Sequence, residues 1–317
     1  MLDNMPQSPF LPGTKVQFAW DSTSLGYIKT CPRLYQYTII EGWQPKEESI
    51  HLRFGGEYHA AIQDYEMLRA SGVPREAAIR ETIRQLLIRI QDWDPDPLAK
   101  AFAHKNKSQL LYLVVAYFDE FRDDPCETVI LENGKPGVEL SFRFNVDWAP
   151  QSNPEQPYIL CGHLDRVVKW NDEVFVIDHK TTTTLPTDYY FAQYAPNNQM
   201  TLYTFAGKVI FESLVRGVII EAVQVTNEKP MKFERRPTYR NDEVIDEWLS
   251  DLEVWLLAAE DYARAEYWPQ NDTACDKFGG CRFREICSKS PRVREQFLKS
   301  NFVQLPEEER WNPLRAR

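Results

Sequence analysis

Apolar positions recur along this chain in two periods, and the change from one to the other divides it. From Pro74 to Ile90, PREAAIRETIRQLLIRI sets Ile79, Ile83, Leu86, Leu87 and Ile90 at helical spacing, with Pro74 in a favoured first-turn position. Ser108 to Arg122 repeats that spacing, and Phe54 to Met67, FGGEYHAAIQDYEM, passes from a Gly-rich turn into helix-forming residues. At Val138 the period becomes two: Val138, Leu140, Phe142, Phe144 and Val146 alternate with Glu139, Ser141, Arg143 and Asn145. Ala195 to Ile210 returns to a helix, Val215 to Thr226 reads as a strand, and Met231 to Arg236 adds another. Asn241 to Tyr267 closes the pattern as a long amphipathic helix with Val244, Ile245, Trp248, Leu249, Leu252, Trp255, Leu256 and Ala259 as its buried stripe. The order of elements predicts an α/β fold, a mixed sheet flanked by helices.

The stretch Gly162 to Thr184, GHLDRVVKWNDEVFVIDHKTTTT, concentrates the candidate chemistry. Two apolar-rich runs flank Trp170-Asn171-Asp172-Glu173, which predicts a hairpin with Asn171-Asp172 at its tip. Residues equally distant from the tip then face each other, so Asp165 lies opposite Asp178 with Cβ atoms about 5 Å apart. Lys180 is two residues further on and shares that face. Paired carboxylates repel unless a cation separates them, and carboxylate oxygens suit magnesium or manganese. A lysine beside such a cation can orient water and stabilise a phosphoryl transition state. Taken alone, the pattern also fits an ordinary salt-bridged hairpin.

Composition narrows the class. With 43% apolar residues in 317, the chain can bury a full core. No run of 18 apolar residues occurs, and the start MLDNMPQSPFLPG lacks a basic segment followed by an apolar one, so a cytoplasmic protein is expected. The net charge of -10 argues against indiscriminate nucleic-acid binding but leaves room for a local basic surface. Between Cys275 and Lys299 the bases outnumber Asp276, Glu285 and Glu295, which makes that segment either a phosphate-contact surface or a solvated face. Three of the six cysteines lie there as Cys275-x5-Cys281-x5-Cys287, a spacing closer to a metal site than to a disulfide framework in a cytosolic chain. Cys31, in the polar, aromatic, Pro-marked KTCPRLYQY, is the expected fourth ligand. Cys161 reads as a core thiol and Cys126 as a loop residue.

GEYHAAIQDY around His59, GHLDR around Asp165, IDHKT around Asp178 and Lys180, and QMTLY with Gln199 and Tyr203 stand in the order found in RecB-type nucleases. Over about residues 20 to 290 the chain resembles the PD-(D/E)xK nuclease superfamily. Within it, the resemblance is to the iron-sulfur branch with AddAB-type recombination nucleases, CRISPR-adaptation nucleases and phage relatives. The resemblance implies a restriction-endonuclease-like fold with a helical lobe over about 55-125, a catalytic sheet over about 138-226, and a C-terminal helix and cysteine cluster over 241-290. A flexible segment, 1-20, would precede this single domain of 21-290, and a tail, 291-317, would follow it. His59, Asp165, Asp178 and the carbonyl of His179 would bind Mg²⁺ or Mn²⁺, with the His179 side chain turned to the opposite face. Lys180 would act on water or the transition state, and Gln199 and Tyr203 would bound the site. Cys31, Cys275, Cys281 and Cys287 would hold a [4Fe-4S] cluster that joins the N-terminal and C-terminal segments, zinc being the alternative. Two departures stand out: Asp178 replaces the more common Glu, and the cysteine spacing is wider than the C-x2-C start of some relatives. The implied activity is a DNase acting on single strands or DNA ends, working with a helicase or recombination partner supplied in trans; the alternative is a non-catalytic DNA-binding or assembly subunit. Glu139, on the first strand, could join the metal shell, but reads first as a solvated strand residue.

Overall fold

In the computed structural model, residues 8–212, 214–227, 230–277 and 280–315 are described, except for the Lys100 side chain. The helices needed below are α1 (Ser22–Thr30), α2 (Ile50–Ala70), α3 (Arg75–Arg89), α4 (Lys107–Glu120), α5 (Asn198–Ile210), α6 (Asp242–Arg264) and α7 (Arg294–Asn301). The strands are β1 (Ala19–Trp20), β2 (Trp43–Pro45), β3 (Glu127–Thr128), β4 (Val138–Asn145), β5 (Ile159–Trp170), β6 (Glu173–Thr182), β7 (Val215–Gln224), β8 (Lys232–Tyr239) and β9 (Phe302–Gln304). They belong to two compact units: residues 48–140 with 163–242, and residues 1–47 with 141–162 and 243–317.

The unit of residues 48–140 and 163–242 contains the mixed sheet. β5 and β6 are antiparallel, β6 and β7 parallel, and β7 and β8 antiparallel, while β3 pairs with β5. The hairpin register is the one the tip predicts, from Trp170 opposite Glu173 to Arg166 opposite Ile177. Asn171 and Asp172 have φ of 50° and 64°. Consecutive positive φ values define the turn whose twist matches a two-residue hairpin, and Asn and Asp tolerate them better than most side chains. No glycine is needed there. Gly217 has a different role: a Cβ at that position would stand 2.1 Å from the Thr238 carbonyl oxygen, so β8 approaches β7 only because the side chain is missing.

α2, α3 and α4 pack a common core in which Phe54, Tyr58, Ile62, Leu86, Leu113 and Tyr117 are buried. Two details of the periodic reading change. The Gly55-Gly56 pair makes no turn, because the preceding Ser49 caps a helix that runs straight through it. Leu87 is 47% exposed, whereas Leu86 and Ile90 are buried and Ile79 and Ile83 partly buried. One position along a helix rotates a side chain by about 100°, enough to turn Leu87 out of the stripe.

The unit of residues 1–47, 141–162 and 243–317 brings distant parts of the chain together. β1 lies parallel to Ile159–Leu160 of β5, and β2 pairs antiparallel with β9. Asn271 Nδ2 donates to the Thr30 carbonyl at 2.9 Å, and Arg33 Nε donates to the Trp268 carbonyl at 2.8 Å. Residues 1–7 of the expected flexible start lie outside the described residues, while Val16, Phe18 and Trp20 are buried. In the expected tail, α7 and β9 bury Leu298 and Phe302 in a cluster with Tyr37, Trp43, Phe283 and Ile286. Of the predicted stripe of α6, Ile245, Trp248, Leu252, Leu256 and Ala259 are buried, Leu249 and Trp255 are half-buried, and Val244 is 40% exposed near the helix start. Among the described residues no helix is long and apolar enough to cross a membrane.

Candidate active site

Two strands, β5 and β6, and two helices, α2 and α5, supply the site. Asp178 sits on the apolar strand EVFVIDHKTT with only 1% of its side chain exposed. Its Oδ2 lies 2.6 Å from Lys180 Nζ but accepts no well-aligned hydrogen bond. The Lys180 ammonium donates instead to Gln199 Oε1 at 3.2 Å, and Gln199 Nε2 donates to the Tyr203 hydroxyl at 3.0 Å. That last contact follows from helix geometry, since residues four apart share a face of α5. Asn197 caps the helix through Oδ1, accepting from the Gln199 and Met200 backbone N–H groups, and so fixes where the Gln199–Tyr203 pair begins.

Asp165 stands one residue beyond the part of β5 that pairs with β6, so its expected opposition to Asp178 falls just past the last register pair, Arg166 with Ile177. Its Oδ2 accepts the His179 backbone N–H at 3.1 Å and lies 3.6 Å from His59 Nδ1. The structure thus brings together all six residues singled out around the hairpin and α5: Asp165, Asp178, His179, Lys180, Gln199 and Tyr203. His59 joins them from α2. The His179 imidazole is turned to the opposite face, where Nδ1 meets Glu221 Oε1 at 2.7 Å.

Electrostatics separates the roles of these groups. Burial pushes the Asp178 carboxyl up, and the Asp165 charge adds to the rise although Lys180 opposes it. Burial would lower the Lys180 pKa, but the Asp178 and Asp165 carboxylates outweigh it and the pKa is raised, so the amine remains an ammonium at neutral pH. Burial, with His179 and Lys180 nearby, drives His59 down to about 3, which leaves a neutral imidazole with a lone pair to offer.

Two residues of this region, Gln63 and Glu66, escape the sequence reading, and a third, Glu139, enters it only as the lesser of two alternatives. A small cleft is lined by His59, Gln63, Glu66, Glu139, Asp165 and His179. Gln63 and Glu66 follow His59 at four and seven residues, a helical spacing that would have placed them on its face. Glu139 is harder to foresee. Alternation in β4 assigns it to the polar side, but its φ of 47° breaks the strand geometry at that point, and the residue lines the cleft. Such a conformation is costly for a side chain with a Cβ and recurs at functional sites.

The cysteine set is gathered in the other unit. All six cysteines are free. Burial raises the Cys287 thiol, with Cys281 and Cys31 adding to it; burial, then Cys281 and Cys31, also raises Cys275. Cys31 and Cys281 therefore lie near both Cys275 and Cys287; the Cys281 backbone N–H donates to the Cys275 carbonyl at 2.8 Å, and Cys31 Sγ accepts the Asn271 backbone N–H at 3.2 Å. Among the described residues, however, no three His, Cys, Asp or Glu side chains form a ready metal-binding group, at the cysteines or at the hairpin. The donor chemistry nevertheless fits at both places: four thiols at one, and at the other two carboxylates and a neutral imidazole.

The basic excess after Cys275 is largely used within the fold. Arg284 pairs with Asp276, Lys289 with Glu285 and Lys299 with Glu295. Arg294 donates to the Cys287 and Lys289 carbonyls, and Arg282 to the Tyr27 and Thr38 hydroxyls.

Comparison with known proteins gives a family model described as the PD-(D/E)XK nuclease superfamily, matching residues 22–288. No curated protein matches the chain. Among solved structures, one named "Putative exonuclease" from Eubacterium rectale is similar at 12% identity and a TM-score of 0.49, covering 89% of this chain and 93% of that one. Another, named SSO0001, is similar at 13% identity and a TM-score of 0.28, covering 75% of this chain and 76% of that one.

Proposed function

Because the chain belongs to the PD-(D/E)XK nuclease superfamily, we propose that it is a divalent-cation-dependent deoxyribonuclease that hydrolyses phosphodiester bonds in single-stranded DNA or at DNA ends. The observation that carries this reading is the pair of carboxylates, Asp178 buried and ion-paired to Lys180 at 2.6 Å, with Asp165 close enough to push its pKa up further. Two carboxylates held against one ammonium leave negative charge that a divalent cation would offset and that a binding scaffold does not need.

Asp165 and Asp178 would hold Mg²⁺ or Mn²⁺, with neutral His59 and the His179 carbonyl as further donors. When bound, the cation lowers the pKa of water and offsets charge on the phosphate. An imidazole donor favours manganese somewhat over an all-oxygen set. Lys180 would orient the attacking water or stabilise the negative charge that builds on the non-bridging oxygens. Gln199 holds the ammonium from one side while Tyr203 holds Gln199. The water oxygen bonds to phosphorus as the bond to the leaving nucleoside oxygen breaks, and the proton lost by the water reaches that leaving oxygen through solvent.

Cys31, Cys275, Cys281 and Cys287 are the proposed ligands of a [4Fe-4S] cluster, with zinc as the competing occupant. Burial raises the Cys275 and Cys287 thiols, so ligation there would release protons. A cluster there would reinforce the N-terminal to C-terminal contacts already made by Arg33 and Asn271.

End-labelled linear and circular single strands, incubated with each cation, test the activity. Asp165→Ala and Lys180→Ala should each lower cleavage by about a hundredfold or more while folding persists. Full activity in both variants would overturn the assignment.

A further inference from the structure

We propose that Glu221 and Arg235 are positioning residues for the hairpin, acting through a buried circuit of alternating charge on the sheet face opposite Lys180. This rests on the nuclease reading above and extends it to residues that touch neither DNA nor cation.

The circuit can be followed atom by atom. His179 Nδ1 meets Glu221 Oε1 at 2.7 Å, and Glu221 Oε2 accepts from Arg235 Nε at 2.8 Å and Nη2 at 2.6 Å. Arg235 Nη1 and Nη2 reach Asp124 at 2.6 and 3.0 Å, and Asp124 Oδ2 accepts from Arg166 Nη1 at 3.1 Å. Arg166 Nη2 then lies 3.1 Å from Glu66 on α2. His179, Glu221 and Arg235 are direct register partners across β6, β7 and β8, so the sheet itself aligns that part of the row. The Arg235 guanidinium also lies over the Phe121 ring, 4.0 Å from its centroid.

Both carboxylates of the site are attached to this circuit through the chain. Arg166 follows Asp165, and His179 follows Asp178. The link is closed by the His179 backbone N–H, which donates to Asp165 Oδ2 at 3.1 Å. Rotation of the His179 peptide would therefore release Asp165 and move the neighbouring carboxylate together. Apolar side chains would fill the same space, as Ile177 and Ile219 do one step away on that face, and buried ion pairs seldom stabilise a fold more than such packing. What the charges add is direction: a two-pronged guanidinium and a carboxylate fix an orientation that aliphatic groups leave free.

Glu221→Gln keeps the side-chain shape while removing the charge. Its kcat should fall by about ten- to hundredfold, with KM for a single-stranded oligonucleotide within about twofold of wild type. Mn²⁺ binding to the DNA-free protein, read by calorimetry, should weaken. The His179 amide should exchange with solvent faster while Val176, earlier in the same strand, keeps its protection. A merely structural role would loosen both amides and leave kcat per folded molecule unchanged, and that result overturns the inference. If Glu221→Gln does not fold, Arg235→Lys carries the same test, because it retains the charge and loses the two-pronged contact. An inactive wild type, or a fully active Lys180→Ala, counts against the nuclease reading itself; an active wild type with a fully active Glu221→Gln counts against the positioning role alone.

Discussion

Asp124→Asn gives the sharpest test of the buried charges as a set. The wild-type carboxylate is mostly buried, meets two guanidinium groups, and accepts the Cys126 backbone N–H at 3.0 Å. An asparagine oxygen can keep the Cys126 contact, but its NH₂ group must then face an arginine donor, and Arg166 and Arg235 lose the carboxylate they share and keep only Glu66 and Glu221. Breaking one partner of a buried ion pair costs about 3–5 kcal/mol, and the retained backbone contact places the expected loss near the lower end, about 3 kcal/mol at pH 7. The pH dependence follows from the carboxyl itself. Burial would raise its pKa, but Arg235 and Arg166 outweigh burial and hold it below the usual carboxylate range. The stabilisation is thus present above the unfolded-state value of about 3.9 and is lost as pH falls through the lower folded-state value. Urea unfolding of both proteins at a series of pH values should show the full gap at neutrality and a narrowing gap below about pH 4. A gap under about 0.5 kcal/mol at pH 7, or one that stays constant into acid, would refute the reasoning.

Other expectations follow from single features. Gly217→Ala should destabilise the sheet by about 1–3 kcal/mol or more, because its new methyl group would displace the Thr238 carbonyl; an unchanged thermal midpoint would contradict that close approach. Protein purified without oxygen should be brown if the four thiols hold iron-sulfur, and Cys281→Ser should bleach it; a colourless protein with one zinc per chain would assign the other occupant.

The hairpin was legible because its information is local. A two-residue tip between alternating strands sets the register, and the register determines which carboxylates meet. The Gln199–Tyr203 pair was readable for a similar reason, being one helical turn apart. The circuit was not, since its members come from separate parts of the chain and no periodicity links Glu66, Asp124, Arg166, Glu221 and Arg235. One clue was available: Glu221 interrupts the otherwise apolar run GVIIEAV, and an acid inside a buried apolar run must find a cation. The Gly55-Gly56 pair misled in the other direction, because local propensity pointed to a turn where a capped helix packs continuously.

The circuit also has a consequence for how the protein can change over time. Each of its acids meets a base, so replacing one member unbalances its neighbours, whereas replacing an acid and a base together keeps the net charge. Paired replacement at positions 221 and 235 leaves Asp124 with Arg166 and is therefore the more accessible route of divergence, while loss of 124 and 166 together would leave Glu66 without its cation. Among relatives, positions 221 and 235 should covary as a couple even where the residues around them drift independently.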